Sequence, residues 1–359
     1  MGDRFSDRAG PAVGEHTGDC GGPYRDAVFT RPPDLPDALV ADALGAGWGM
    51  QVADIEYAPV GYGSHHWHAA ANELRWFVTV DDLAARRTPG GAADQPLHRL
   101  TAALSTARAL RHAGLEFVIA PLPTDAGQVV HVVEDRFAVS LYPYVDGESH
   151  PWGPYTSRAD RLAVLDLIAA LHRAPETARS AARRDDLAIP GRGDLDAAVA
   201  DLDRPWRTGP YGEPARALLN EHADAVGAAR GRYDRLAADV MGRPDRMVLT
   251  HGEPHRANTI TTTGGVVLID WDTVLIAPPE RDLWALVDED PQAADDYTAR
   301  TGITPEVDAM ALYRLWWHLT EVSIYIGEFH RPHLKTEDTS IAWDSLNRHL
   351  DPARWQALT

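Results

Sequence analysis

The strongest constraint in this chain is a stretch in its second half. Val248 to Thr250 is an apolar run that leads into a short polar loop, His251 to Asn258, and a second apolar run, Val266 to Ile269, ends on Asp270, Trp271 and Asp272. That pattern reads as strand, loop, strand, with a carboxylate delivered at a strand end. If the two strands pair, Glu253, Asn258 and Asp270 come together. Phosphoryl transfer needs such a set: one carboxylate facing the attacking hydroxyl, and an amide plus a second carboxylate holding Mg²⁺ against the phosphates.

The segment resembles the catalytic loop of the aminoglycoside phosphotransferase and choline kinase superfamily, a small-molecule branch of the protein-kinase fold. That superfamily carries His-x-Asp-x-x-x-x-Asn followed by an Asp at the end of the next strand, and His251, Glu253, Asn258 and Asp270 fall on the pattern. Ala277 to Trp284 resembles the segment whose acid, here Asp282, braces the loop from below. One departure is plain: the general-base position holds Glu253 rather than Asp. The resemblance implies an α+β, two-lobed, protein-kinase-like fold with a small β-rich N-lobe and a larger, mainly helical C-lobe. The expected division is a mostly disordered leader over 1–34, an N-lobe over 35–145 and a C-lobe over 146–359.

Composition narrows the partners. A net charge of −19 argues against a nucleic-acid partner, since phosphate backbones draw on clustered Lys and Arg. No run approaches the roughly 20 apolar residues of a membrane span. The single cysteine, Cys20, rules out an internal disulfide and a Cys-based zinc site, and suits a reducing cytoplasm. The expected protein is cytoplasmic, a monomer or homodimer, binding a nucleotide and a small hydroxyl acceptor.

In chain order, Leu35 to Leu44 reads as a short helix, Met50 to Val60 as a strand, and Leu74 to Val80 as another. Between the strands lies Gly61-Tyr62-Gly63-Ser64. Glycines let backbone N–H groups approach phosphates closely, so the resemblance makes Gly61, Gly63 and Ser64 nucleotide-covering residues; an ordinary hairpin turn is the competing reading. On the next strand the superfamily places a lysine, and this chain has Thr79. Lys335 is the only lysine, far downstream. The helix Leu97 to His112 lacks the acid that pairs with that lysine, since none occurs between Asp94 and Glu116. Losing both is coherent, because a buried carboxylate stripped of its cation is costly. Either nucleotide binding is weak or absent, or another cation steadies the phosphates. Arg75, His65, His66 and His68 are the candidates closest in sequence.

Phe117 to Pro121, Gln128 to Val133 and Arg136 to Tyr144 read as strands. The last leads into a segment resembling the interlobe linker, where backbone groups of Leu141, Tyr142 or Tyr144 bind the purine edge; Pro143 has no N–H to offer. Ser157 and Asp160 resemble a capping box that opens a helix carrying His172, read as a hydrogen-bonded core residue. Residues 175 to 195 read as a connecting loop, with helices from Leu195 to Val240 broken near Pro205 to Pro214. The acidic stretch Asp288 to Ala299 precedes a long helix, Glu306 to Glu328, bearing Trp316, Trp317, Glu321 and Tyr325. These form either an acidic and aromatic acceptor wall or a solvated face over core tryptophans.

The catalytic assignment is Glu253 as base, with His255 and Arg256 near the transferred phosphate, and Asn258 with Asp270 as Mg²⁺ ligands. ATP or GTP is the expected donor. Two rival readings stand beside it. One is a non-catalytic kinase-like binding protein. The other takes His251-x-Glu253-x-His255, three side chains on one face of a strand, as the ligands of a metal-dependent hydrolase.

Overall fold

The computed structural model describes residues 31–61, 63–86 and 95–350. The expected leader lies outside the described residues as far as residue 30, as does Cys20. Helix α1 (Asp37–Trp48) precedes strands β1 (Asp54–Ala58), β2 (His65–Ala71) and β3 (Leu74–Asp82), then helix α2 (Gln95–His112), β4 (His131–Val133) and β5 (Phe137–Pro143). The five strands form one antiparallel sheet in the order β1-β2-β3-β5-β4.

Alternation along these strands builds two faces. Trp67 and Ala69 of β2, Val78 and Val80 of β3, and Phe137, Val139 and Leu141 of β5 bury one face against Val40, Ala43 and Leu44 of α1. On the opposite face Ala138 and Tyr142 meet Leu100 and Leu104 of α2. That alternation leaves Phe77, Thr79 and Asp81 of β3, with His66 and His68 of β2, on the face turned away from α1. Helix α2 joins the two halves of the molecule, because Ala103, Ala107 and Leu110 enter a second core with Val118, Leu171, Leu249, Leu268 and Trp271.

Beyond Pro143 come β6 (Glu148–Ser149), α3 (Arg158–His172), α4 (Arg192–Ala200), α5 (Gly212–Met241) and β7 (Val248–Thr250). They are followed by β8 (Thr259–Thr262), β9 (Gly265–Leu268), β10 (Leu275–Ala277), α6 (Glu280–Glu289), α7 (Gln292–Thr301), α8 (Val307–His330) and α9 (Glu337–His349). Two small sheets, β10-β7 and β6-β8-β9, carry the polar loop. Helix α8 is apolar nearly all round and forms the centre of the largest core, with Leu315, Leu319, Val322, Ile326 and Phe329 packed against Leu219, Val226 and Tyr233 of α5 and Leu346 of α9. A β-sheet lobe followed by a helical lobe is the α+β, kinase-like arrangement.

Several boundaries differ from the sequence expectation. The strand expected over Phe117 to Pro121 reduces to a single bridge from Val118 to Leu268. The one expected over Gln128 to Val133 begins only at His131. Pro121 and Pro123 remove the N–H groups that a continuous ladder needs. The loop expected over 175 to 195 contains a short 3₁₀ turn, Glu176–Arg179, and the start of α4.

Candidate active site

Strand β7 delivers His251 into the centre of the second lobe, where its side chain is fully buried. Nε2–H of His251 donates to the Ile269 carbonyl at 2.9 Å, which leaves Nδ1 to accept the Glu253 N–H at 3.3 Å. Burial holds this imidazole below its ordinary pKa, with Asp282 opposing. It is therefore a neutral strut between the loop and β9. With both nitrogens committed to backbone, it has no lone pair for a metal, and the His251-Glu253-His255 ligand set does not form. Among the described residues no group of three or more His, Cys, Asp or Glu is arranged to hold a metal ion.

Asp282 of α6 holds the loop from beneath. Its Oδ2 accepts the His251 N–H at 2.8 Å and its Oδ1 the Gly252 N–H at 2.6 Å. His172 of α3 donates from Nε2 to Oδ2 at 3.1 Å and meets the Tyr297 hydroxyl through Nδ1 at 2.7 Å. Burial alone would raise the Asp282 pKa. The hydrogen bond and charge of His172, with Arg281 and His251, outweigh it and hold the carboxyl below its ordinary value. Gly252 sits at φ +103°, and a Cβ there would fall inside the van der Waals surface of the Arg281 guanidinium. That guanidinium is fixed by the Thr250 hydroxyl at 3.0 Å and the Thr273 carbonyl at 2.9 Å. The loop can therefore turn only on glycine.

Above this base, the Asn258 amide nitrogen donates to the Glu253 carbonyl at 3.0 Å and lies 3.2 Å from His255 Nε2. With the nitrogen so placed, the amide oxygen is the end left for a ligand, an orientation assigned from the hydrogen-bond network. Ile269 N–H donates to the Asn258 carbonyl at 3.0 Å, and this sets Asn258 beside Asp270. Asp270 adopts a left-handed backbone, φ 65° and ψ 63°, that turns the chain out of β9 and aims the carboxylate into the cleft. Such a conformation in a non-glycine residue costs about 1–3 kcal/mol and concentrates at functional sites. The Glu253 carboxylate lies 3.6 Å from His255 Nε2. Arg256 opens the short 3₁₀ turn that ends at Asn258. The structure thus brings Glu253, His255, Arg256, Asn258 and Asp270 to one loop and strand end.

The charge balance fits a cation. Asp270 has its pKa pushed well above the carboxylate range by its surroundings and by the carboxylates of Asp272 and Glu253. Asp270 is nonetheless an exposed residue, so water screens much of this repulsion and the direction of the shift, not its size, is what the site fixes. An oriented amide oxygen beside crowded carboxylates is a donor set that suits Mg²⁺, a hard cation with oxygen ligands.

Over this floor lies the glycine turn, with Gly61 at φ +75° and Gly63 at φ +79°. The Ser64 hydroxyl is buried and donates to Asp81 Oδ1 at 2.7 Å. Thr79 lies on β3 opposite His66 and Ser140. At the linker, Leu141 packs in the core and its carbonyl accepts the Leu122 N–H at 2.7 Å. The Tyr144 N–H leans on the Arg75 carbonyl at a long 3.4 Å. Burial, reinforced by Asp81, Asp272 and Asp270, drives the Tyr142 hydroxyl far above its ordinary pKa and keeps it neutral.

The four cation candidates near the turn do not supply one. Arg75 lies at the linker end of β3, paired with Asp146 at 2.5 Å and stacked over Tyr144 at 3.9 Å. Desolvation lowers the pKa of His65 and His66, that of His66 to about 4, and partial desolvation lowers that of the more exposed His68, so none of the three is a cation at pH 7. His66 stacks on Phe77 with ring centroids 5.0 Å apart and donates from Nδ1 to the Val60 carbonyl at 2.7 Å. Its folded-state pKa is below the unfolded value of 6.5, so its stabilising contribution is complete above 6.5 and lost as the pH falls towards about 4. Urea unfolding across that window is expected to show declining stability in the wild type and a shallower slope in His66→Gln. Superimposable slopes would remove His66 from the account.

The cation that does reach the site is Arg86, in the turn after β3. Nη2 contacts Asp81 at 2.5 Å, the Ser64 hydroxyl at 2.9 Å and the Gly63 carbonyl at 3.3 Å, while Nη1 contacts Asp272 at 2.9 Å. Sequence reasoning missed this residue and Asp81. The available signal was Asp81 two positions beyond Thr79 on the same strand face, with Arg86 five positions further on.

The acidic stretch is also accounted for. Asp288 pairs with Arg314, Asp290 with Arg158 and Arg161, and Asp296 with Arg158. Three of the five acids of the stretch thus pair with the protein's own arginines, while Glu289 accepts the Tyr155 N–H and Asp295 the Gln292 amide. The aromatic part remains: Trp152 lies 3.8 Å from the His255 ring and stacks on Trp317 at 6.1 Å with 10° between planes. Glu321 is buried and accepts from the Tyr325 hydroxyl at 3.0 Å.

A β-sheet lobe with a glycine turn, set over a loop that gathers an acid, an amide and a strand-end aspartate, is the plan of a kinase-like phosphotransferase. The chain belongs to the phosphotransferase enzyme family (APH), which matches residues 67–316. Protein StrN of Streptomyces griseus is 32% identical over 253 residues, covering 68% of this chain and 75% of that protein. Among solved structures, a spectinomycin phosphotransferase in complex with ADP and spectinomycin superposes with a TM-score of 0.68 at 16% identity, covering 91% of this chain and 98% of that one. A microcompartment-associated aminopropanol kinase gives a TM-score of 0.56 at 16% identity, over 88% and 95% of the respective chains. At these identities the structural likenesses speak for the fold alone. Among the described residues no helix is long and apolar enough to cross a membrane.

Proposed function

We propose that the protein transfers the γ-phosphate of ATP or GTP to a hydroxyl of a small polar molecule. The observation that carries this reading is the convergence of Glu253, Asn258 and Asp270 at one cleft floor beneath the glycine turn. The Glu253 carboxylate takes the proton of the acceptor hydroxyl as that oxygen bonds to the γ-phosphorus. The bond from phosphorus to the β,γ-bridging oxygen breaks, and the nucleoside diphosphate leaves with that electron pair. Asn258 and Asp270 would hold Mg²⁺, which neutralises charge on the phosphate oxygens. His255, 3.6 Å from Glu253, steadies the base, and Arg256 offsets charge on the transferred group.

The extra methylene of Glu253 relative to Asp is accommodated by the loop itself. Tyr155 donates to the Pro254 carbonyl at 2.9 Å and Asn258 to that of Glu253, so the backbone that aims the carboxylate is held on both sides. Trp152 and Trp317 offer flat faces to a ring-shaped acceptor. A sugar-like metabolite or an antibiotic suits them, and an antibiotic acceptor would make this a resistance or self-protection enzyme.

The competing reading is a kinase-like binding protein without transfer activity, favoured by Thr79 in the lysine position. Thermal unfolding with ATP and with GTP, each with and without Mg²⁺, separates the two. A ligand bound only by the folded state at one hundred times its dissociation constant adds about 2.7 kcal/mol. A Mg²⁺-dependent rise with one nucleotide is expected, together with nucleotide turnover that Glu253→Gln lowers about a hundred-fold or more. The absence of a rise with either nucleotide would leave only the binding-protein reading.

A further inference from the structure

We propose that Arg86 does the work of the absent strand lysine, gripping the nucleotide phosphates from a new position in the chain. This rests on the kinase reading above. The usual pair sets the cation on the third strand and the acid on the following helix. Here the order is inverted: the strand carries the acid, Asp81, and the turn after it carries the cation.

The geometry supports the exchange at each contact. Asp81 is two residues past Thr79 and shares its face of β3, so the charged position of the strand is shifted by one step and reversed in sign. Asp81 is buried at 2% exposure and pairs with Arg86 at 2.5 Å, so the guanidinium is anchored as a lysine would be by its glutamate. From that anchor Arg86 touches both boundaries of the phosphate slot. One is the glycine turn, through Gly63 and Ser64; the other is Asp272, two residues beyond Asp270. Among the described residues, none of Arg75, His65, His66 and His68 bridges the glycine turn and Asp272. Arg86 presents a planar fork with several donors, which suits phosphate oxygens better than a point charge does. When a nucleotide enters, its phosphates take the place of Asp272 as the C-lobe-side partner of the fork, while Asp81 keeps the other edge fixed.

The lack of an acid on α2 strands no buried cation, because Arg86 is matched by Asp81 of β3. Arg86 is expected to contact the triphosphate, and Asp81 is a positioning residue that acts through it.

Calorimetric titration of the full chain with ATP, ADP and adenosine, or the guanine set if GTP is preferred, tests this directly. In Arg86→Ala the affinities for ATP and ADP are expected to fall about ten- to a hundred-fold. Adenosine affinity should stay within a factor of two or three of the wild type, roughly the scatter of such measurements. Arg86→Lys should recover part of the loss. A strut between lobes would instead weaken adenosine and ATP alike, and that result overturns the assignment, as does an unchanged ATP affinity. If Arg86→Ala fails to fold, Arg86→Gln, which keeps hydrogen-bonding groups without charge, is read by the same comparison. Wild-type protein that binds no nucleotide overturns the kinase reading and this inference together. Wild-type binding that survives in the Arg86 variants overturns this inference alone.

Discussion

Asp270→Asn is expected to reduce phosphate transfer by roughly a thousand-fold, the equivalent of about 4 kcal/mol of lost charge stabilisation, while leaving the unliganded protein as stable as the wild type or more so. The two halves of the result have one cause. Asp270 faces the carboxylates of Asp272 and Glu253, and desolvation with these charges raises its pKa above the ordinary 3.8, an effect that water reduces because the residue is exposed. A raised acid favours folding only while it is protonated. Once the pH passes 3.8 and climbs through the folded-state value, the ionised form costs stability, so at pH 7 the native residue is a burden on the apo protein. Asparagine removes that burden, keeps the side-chain shape, and tolerates the left-handed backbone that position 270 requires. It also removes the charge that draws in Mg²⁺. Thermal unfolding should therefore show an equal or higher apo midpoint together with loss of the Mg²⁺-dependent nucleotide shift. A variant that retains the shift, or turns over within tenfold of wild type (about 1.4 kcal/mol), would exclude Asp270 as a metal ligand.

The same balance of local and distant contacts decides what the sequence could reveal. The loop from His251 to Asn258 was legible because its logic is short-range. The spacing from Glu253 to Asn258 sets the amide against the Glu253 carbonyl, and β8 and β9 form a hairpin that brings Asp270 back beside it. The burial of His172 was likewise legible from its apolar neighbours, although its role between Tyr297 and Asp282 was not. What escaped notice depends on contacts between segments far apart. Arg86 and Asp272 are 186 residues apart in sequence and meet only when the lobes close on each other. The acidic stretch reads as a binding surface in the sequence because two of its partner arginines, Arg158 and Arg161, lie 132 and 129 residues from Asp290 in the chain. Histidines near the glycine turn looked cationic until their burial was known, since a free imidazole and a buried one carry different charge at the same pH. The prolines at 121 and 123 are plain in the sequence, and the N–H groups they lack break the ladder that the apolar pattern before them suggests.

Replacing Asp282 with Asn is expected to have the largest effect on the fold of the loop. One carboxylate here accepts three donors, the backbone N–H groups of His251 and Gly252 and Nε2–H of His172, and all of them lie in the interior. Asparagine can accept through only one atom and presents an N–H₂ to the others, so at least one buried backbone donor meets another donor. Stranding a buried polar group in this way costs about 1–3 kcal/mol, and breaking a buried charged network about 3–5 kcal/mol. The folded-state pKa of Asp282 lies below 3.8, so its contribution is complete above that value and lost only as the pH falls through the lower folded-state value. The penalty should therefore be fully present at pH 7. Chemical denaturation of Asp282→Asn should show a loss of about 3 kcal/mol or more. The folded fraction should transfer phosphate at least about a hundred-fold more slowly, because Gly252 can no longer hold the turn that aims Glu253. Nucleotide affinity should change far less, since Arg86 and the glycine turn belong to the other lobe. That split between turnover and binding separates a bracing role from general collapse: nucleotide binding lost in step with turnover would mean that Asp282 supports the whole cleft, not the loop.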